Sequence, residues 1–229
     1  VEDGYHQLET YKMRIPQLFN HNAVLVTSDG INTKAGSLTA DYDRFMTWRT
    51  KNGQTEEPST IRSLDTLIHG MLNKEVLLDL IRHFVLFQDD GKGHIVKILA
   101  AYHQYYAVNK AVNRAMEATS EHGDGKGGVI WHTQGSGKSL TMVFFSGKLI
   151  QKLNNPTLVV VTDRNDLDNQ LYSTFVKSKG RSGKGLLRQT PKKADSRKEL
   201  KELLSVESGG IIFTTMQKFE PEDGKVTMD

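Results

Sequence analysis

Between Ile61 and Val85 apolar positions recur every three or four residues. They are Ile61, Leu64, Leu67, Ile68, Met71 and Leu72, then Val76, Leu77, Leu80, Ile81, Phe84 and Val85. That spacing keeps one helix face apolar and predicts two core-packing helices. Asn73 between them has the short polar side chain of an N-cap, and QDDGKGH closes the pair. Upstream, YHQLETYKMRIP reads as the last turns of a helix that Pro16 stops. NAVLVTSDGINTKAGSL predicts a β-hairpin. Val24 and Val26 alternate with shorter or polar neighbours, and Asp29-Gly30 suits a tight two-residue turn. In DRFMTWR, Phe45 and Trp48 stand three apart as a helical or packing face.

From about residue 91 helical and strand patterns alternate. AYHQYYAVNKAVNRAMEA is helical, GVIWH a short buried strand and GKSLTMVFFSGKLIQKL a helix. TLVVVTD is a strand, RNDLDNQLYSTF a helix, DSRKELKELL a helix and GIIFTT a strand. Strands alternating with helices imply a parallel sheet covered on both faces. The polar stretch KNGQTEEP is the best linker. The expected division is residues 1–50, a connector over 51–90, and an α/β domain over 91–229.

Composition narrows the classes. The chain has 229 residues, enough for a real core, with 37% hydrophobic and 25% charged residues. A net charge of +3 does not by itself demand a nucleic-acid partner. With no cysteine, disulfides, thiolate metal sites and cysteine nucleophiles are excluded. No apolar run approaches a membrane span, and the first residues are charged where a signal peptide is apolar. The expectation is a soluble, cytoplasmic protein with no membrane partner. Val1 in place of Met points to a trimmed or partial chain.

The candidate chemistry sits in HTQGSGKS, His132 to Ser139, between the strand and helix patterns. Gly135 and Gly137 permit backbone conformations that turn successive N–H groups onto an anion. The following helix points its positive end at the same place. Thr133, Gln134 and Ser136 complete the loop. Lys138 adds a full charge for the β- and γ-phosphates, and Ser139 offers a hydroxyl to Mg²⁺. His132 stands where the longer phosphate-loop pattern has a further glycine, so the match is to the shorter G-x-G-K-S form. A nucleotide engine also needs an acid to organise the metal. Asp163, ending LVVVTD, is either that acid or the start of a polar helix capped by Asp163 or Asn165.

YHQYYAV, GGVIWHTQGSGKSLTM, TLVVVTDRNDLDNQL and IIFTTMQKF, in this order, resemble the first motor domain of the R subunit of type I restriction enzymes, a superfamily-2 translocase. HQLETYKMRIPQLF through DYDRFMTWR resembles the distal part of the same subunit's nuclease domain. The resemblance implies a RecA-like P-loop parallel sheet with helices on both faces. Before it would come the distal part of a restriction-endonuclease-like α/β domain. It implies ATP and Mg²⁺ as cofactors. The partners it implies are double-stranded DNA and the specificity and methyltransferase subunits of a restriction complex.

Residue by residue, it makes Gln104 the reader of the adenine edge, a role one amide suits because it both donates and accepts. Lys138 and Ser139 become the catalytic pair holding phosphate and metal. Arg164, Thr214 and Thr215 fall on DNA-facing motifs, and Asp163 becomes structural or coupling rather than metal-organising. Gln7 and Tyr11, four apart on one helix face, match an element bordering the nuclease site. The nuclease metal ligands would lie upstream of Gln7, and the motor's Asp-Glu-x-His strand beyond Asp229. The chain alone is therefore expected neither to hydrolyse steadily nor to cut. Three other readings remain from the residues. They are a superfamily-2 helicase outside restriction, a small P-loop kinase using Asp163, and a non-enzymatic module binding nucleic acid through the basic 177–201 segment.

Overall fold

A computed structural model describes residues 1–58, 61–163, 165–179, 185–187 and 189–219. The fold is α/β and divides into two units, residues 1–110 and 111–229. Among the described residues no helix is long and apolar enough to cross a membrane.

The first unit opens with α1 (Glu2–Arg14), acidic in its first turn and basic in its last, which complements the helix dipole. Pro16 then starts the 3₁₀ turn Pro16–Phe19. Tyr5 and Leu8 of α1 pack on a core of Phe19, Leu25 and Phe45. The hairpin pairs β1 (Leu25–Ser28) antiparallel with β2 (Thr33–Gly36). Its loop spans residues 29–32, two longer than the tight turn expected. The reason is Asp29: its Oδ1 accepts from the amides of Ile31 and Asn32 at 2.9 and 2.7 Å. A side chain that stands in for backbone in this way needs the longer loop. Trp48 and Phe45 are both buried.

The helical stretch is more broken than its period suggests. α2 (Ser63–Thr66) runs into a π turn, Leu67–Met71. Within that turn Gly70 lies so close to Trp48 and the Thr50 carbonyl that a Cβ would collide with both. α3 (Lys74–His83) is capped by Asn73, whose side chain accepts from the Glu75 amide. Helix continuation through Val85 does not occur. Phe84 closes α3, and β3 (Val85–Asp89) pairs antiparallel with β4 (Ile95–Leu99) around the DDGKGH turn. A run of apolar residues satisfies either period, and here the pairing partner decides. α4 (Tyr102–Ala118) follows. Asp79 ties α3 to it, accepting from Asn109 Nδ2 at 3.2 Å while holding His83 Nδ1 at 2.7 Å.

The 51–58 segment is fastened to α4. Tyr102 OH donates to Glu56 Oε1 at 2.6 Å, and Lys110 Nζ donates to the Gly53 carbonyl at 3.3 Å. Burial first, then Glu56, pushes the Tyr102 hydroxyl up to about 12, so it stays a proton donor at neutral pH. Gly53 has φ +72° and lies against the Tyr106 ring. Alanine at Gly53 needs a left-handed backbone and drives a methyl group into that ring. The first unit should lose about 2 kcal/mol, the scale of one strained or overpacked position. Urea unfolding of Gly53→Ala checks this, and unchanged stability would mean the segment is loosely held.

The second unit centres on a three-stranded parallel sheet ordered β5 (Leu158–Thr162), β7 (Ile211–Thr215), β6 (Pro191–Lys193). The middle strand β7 is buried throughout, as a strand covered on both faces should be. Alternate side chains face opposite ways. Phe213 meets Tyr172 and Phe175 of α6 (Asn165–Lys177) edge-on, at 5.3 and 5.0 Å between centroids. Ile212 packs instead with Ala194 and Leu200 of α7 (Arg197–Leu204). Ser196 caps α7 through the Glu199 amide. The expected two-sided cover is therefore present.

One expected strand is not. Residues 127–132 carry no strand, and Val129 and Trp131 are 94% and 81% exposed. A strand exists by laddering onto another strand, and among the described residues none pairs with this segment.

Candidate functional site

The phosphate-loop sequence forms a turn that leads directly into α5 (Lys138–Lys152). Gly135 and Gly137 both have φ +81°, and Gly137 is the left-handed N-cap. At Gly135 nothing stands where a Cβ would go, so backbone conformation rather than space calls for glycine. The turn is drawn in by Ser136, whose Oγ donates to the Thr133 carbonyl at 2.7 Å. The first α5 carbonyl bond runs from the Thr141 amide to Gly137 at 3.0 Å. The amides of Lys138, Ser139 and Leu140 therefore have no acceptor inside the helix. They face the positive end of a helix four turns long.

α5 is a fixed pedestal. Thr141, Val143, Phe144, Ser146, Gly147, Leu149 and Ile150 are buried along it. Gly147 is pressed against Leu186 so closely that a Cβ would overlap it. The loop it carries is open: Thr133, Gln134, Gly135 and Lys138 are exposed, with Ser136 and Ser139 half-buried. Lys138 folds back over the turn, its Nζ donating to the His132 and Thr133 carbonyls at 3.1 and 2.9 Å. An ammonium bound to neutral carbonyls can exchange them for phosphate oxygens.

The residue chemistry here suits a nucleoside triphosphate and its metal. Helix amides without an acceptor inside the helix, a left-handed glycine turn and an exposed ammonium are groups that can seat an anion. Mg²⁺ needs few protein ligands beside phosphate oxygens, and Ser139 supplies a hydroxyl at the right end of the helix. Among the described residues no group of three or more His, Asp or Glu side chains is placed to hold a metal.

The approach to the loop is also fixed. Arg114 on α4 donates to both carboxylate oxygens of Asp124, at 2.7 and 2.5 Å. The guanidinium holds the Asp124 carboxyl below its usual range, helped by the Lys126 amide. This pair anchors the turn that leaves α4 before the glycines at 125, 127 and 128.

The other expected site residues are dispersed. Gln104, in the first unit, is 5% exposed, and its Oε1 accepts from the Ala101 amide at 3.0 Å. It closes the start of α4 as the third-position residue of a capping box does. On α1, Gln7 Nε2 donates to Tyr11 OH at 2.7 Å on an exposed face. Thr214 and Thr215 end β7 with 0% and 4% exposure, and Thr214 Oγ1 has no hydrogen-bond partner among the described residues. Asp163 is exposed just past β5. Arg164 lies outside the described residues, as do residues 180–184 and 188 of the basic segment.

Sequence reasoning gave no role to two residues that join these loops. Gln217 Nε2 donates to the Asp163 carbonyl at 3.1 Å, and Arg197 Nη2 to the Gln217 carbonyl at 3.4 Å. No spacing rule links positions 54 residues apart.

A family model described as SWI2/SNF2 ATPase matches residues 103–229, more than half the chain. The Type I restriction enzyme HindI endonuclease subunit of Haemophilus influenzae is 50% identical over 94% of the chain, which covers 20% of that protein. A Methanocaldococcus jannaschii protein, provisionally described as the type I restriction enzyme MjaIXP endonuclease subunit, is 36% identical over 96% of the chain, covering 22% of it. The Type I restriction enzyme SauCOLORF180P endonuclease subunit of Staphylococcus aureus is 25% identical over 95% of the chain, again covering 22% of the relative. The chain thus spans about a fifth of the length of these relatives. Order of motifs, sheet and matched range agree: the chain belongs to the SWI2/SNF2 ATPase family and is similar in sequence to type I restriction enzyme endonuclease subunits.

Proposed function

We propose that the chain is the ATP-binding part of the motor in an ATP-dependent DNA translocase and endonuclease subunit of a type I restriction enzyme. The observation that carries this reading is the loop at 133–139: two left-handed glycines, helix amides without an acceptor inside the helix, and an exposed lysine bound to two carbonyls. Helix amides and Lys138 bind the β- and γ-phosphates. The Ser139 hydroxyl would be a protein ligand for Mg²⁺, and the bound ion would supply charge neutralisation to the phosphates. Gln104 recognises adenine through its amide, and for that its side chain must share or leave the Ala101 amide. Thr214, Thr215 and Arg164 serve DNA contact, and Gln7 with Tyr11 contributes to a nuclease surface. Cycles of ATP binding and hydrolysis drive duplex DNA past those contacts, in a cytoplasmic complex with specificity and methyltransferase subunits.

Titration of the chain with mant-ATP tests the reading. Saturable binding is expected, strengthened about tenfold by Mg²⁺, for which Ser139 would offer a hydroxyl ligand. It should be competed by ATP and, far less well, by inorganic phosphate. Binding that ignores both Mg²⁺ and the triphosphate would remove the nucleotide role.

A further inference from the structure

β5 and β7 run parallel and in register, with Thr162 beside Thr215. Both strands therefore end on one edge of the sheet, where open α/β sheets place their ligands. The segments that leave the two strands there are joined to each other. The Thr162 hydroxyl donates to the Thr214 carbonyl at 3.5 Å. Beyond it, the Gln217 amide crosses from the 3₁₀ turn Met216–Phe219 to the Asp163 carbonyl. Arg197, the first residue of α7, then holds the main chain of Gln217 itself.

Gln217 is exposed and takes no part in the sheet's apolar packing, which rests on Phe213, Ile212 and Ile211. A solvated glutamine would lose nothing by pointing into water. This one is committed to a carbonyl at the end of a different strand. Two loops that are separate in sequence become one surface.

We propose that Gln217 is a positioning residue that locks the Asp163 main chain, just past β5, and the turn after β7 into a single rigid edge for the phosphate backbone of duplex DNA. Arg197 steadies the Gln217 main chain from α7. This rests on the DNA-translocase reading and extends it to residues with no assigned part in that reading. A backbone that meets two pre-aligned loops does not have to order each of them on binding. A load on one loop is also transmitted to the other.

Fluorescence anisotropy of the 229-residue chain with a labelled 20-base-pair duplex, over a salt series, tests this. Gln217→Ala should weaken duplex binding about five- to tenfold. The slope of log affinity against log salt should not change, because glutamine neutralises no phosphate. Melting temperature and mant-ATP affinity should stay at the values of the unmodified chain. Amide exchange at 162–163 and 216–219 should rise in the variant, and added duplex should protect only one of the two loops. Arg197→Lys, which keeps a donor, should bind better than Arg197→Ala. If Gln217→Ala binds duplex as the unmodified chain does, the positioning role is overturned while DNA binding stands. A fall in melting temperature or mant-ATP affinity marks a merely structural contact and overturns it as well. If the unmodified chain binds no duplex, the DNA reading fails first and the inference with it.

Discussion

Alanine at Lys138 is expected to weaken mant-ATP binding about 30- to 150-fold, the equivalent of about 2–3 kcal/mol. The estimate is that of a charge-assisted hydrogen bond, because the lysine trades one set of partners for another. Without nucleotide its ammonium is bound by the His132 and Thr133 carbonyls. With nucleotide it meets full negative charges at the same short range. The difference between carbonyl dipoles and phosphate charges is what the alanine variant loses. The same picture has two side results. Affinity of the unmodified chain should fall with added salt, since the loop is exposed and its field is screened. The variant should show a flatter salt dependence and an unchanged melting temperature, since Lys138 braces only its own turn. A variant that binds nucleotide normally would mean that the amides alone hold the phosphates. Isothermal titration calorimetry at two ionic strengths measures both effects.

The second large effect is structural. Phe213→Ala should destabilise the second unit by about 3–5 kcal/mol, the range for emptying a fully enclosed phenylalanine site. Phe213 has no exposed surface and lies in the middle strand of the sheet. Its ring is gripped edge-on by Tyr172 and Phe175. Strands on either side and a helix above leave little freedom to collapse into the space. Because β7 ends at Thr215, beside the joined loops, loss of packing there should also blunt duplex binding. Chemical denaturation followed at several wavelengths measures the loss. A cost under about 1 kcal/mol would show that the sheet repacks easily.

Much of the second unit was legible because its signals are local. LVVVT and IIFTT are short, β-branched and bounded by turns, and both are strands. In the first unit, Asn73 before KEVLL marks a helix start by side-chain chemistry alone, and that cap forms. The glycines of the phosphate loop have the backbone their spacing implied. The features that were not legible depend on distant partners. Val85 to Phe87 fit the end of a helix as well as a strand, and only Lys97 to Leu99 opposite decide it. GVIWH has strand composition but pairs with no strand among the described residues, so composition alone misled. The polar 51–58 stretch looked like a linker because polarity says nothing of what its backbone touches, and α4 holds it. Gln104 stands out for its amide, but nothing in YHQ shows that the same amide closes its own helix.

The exposed 127–132 segment gives the molecule a built-in optical probe. Only two tryptophans occur in the chain. Trp48 is sealed in the first unit at 4% exposure, whereas Trp131 stands in solvent two residues before Thr133. Their emission should therefore separate into a blue component and a red one, and acrylamide should quench the red one selectively. A reporter adjoining the anion seat is thus present without labelling, and changes there can be followed independently of the first unit.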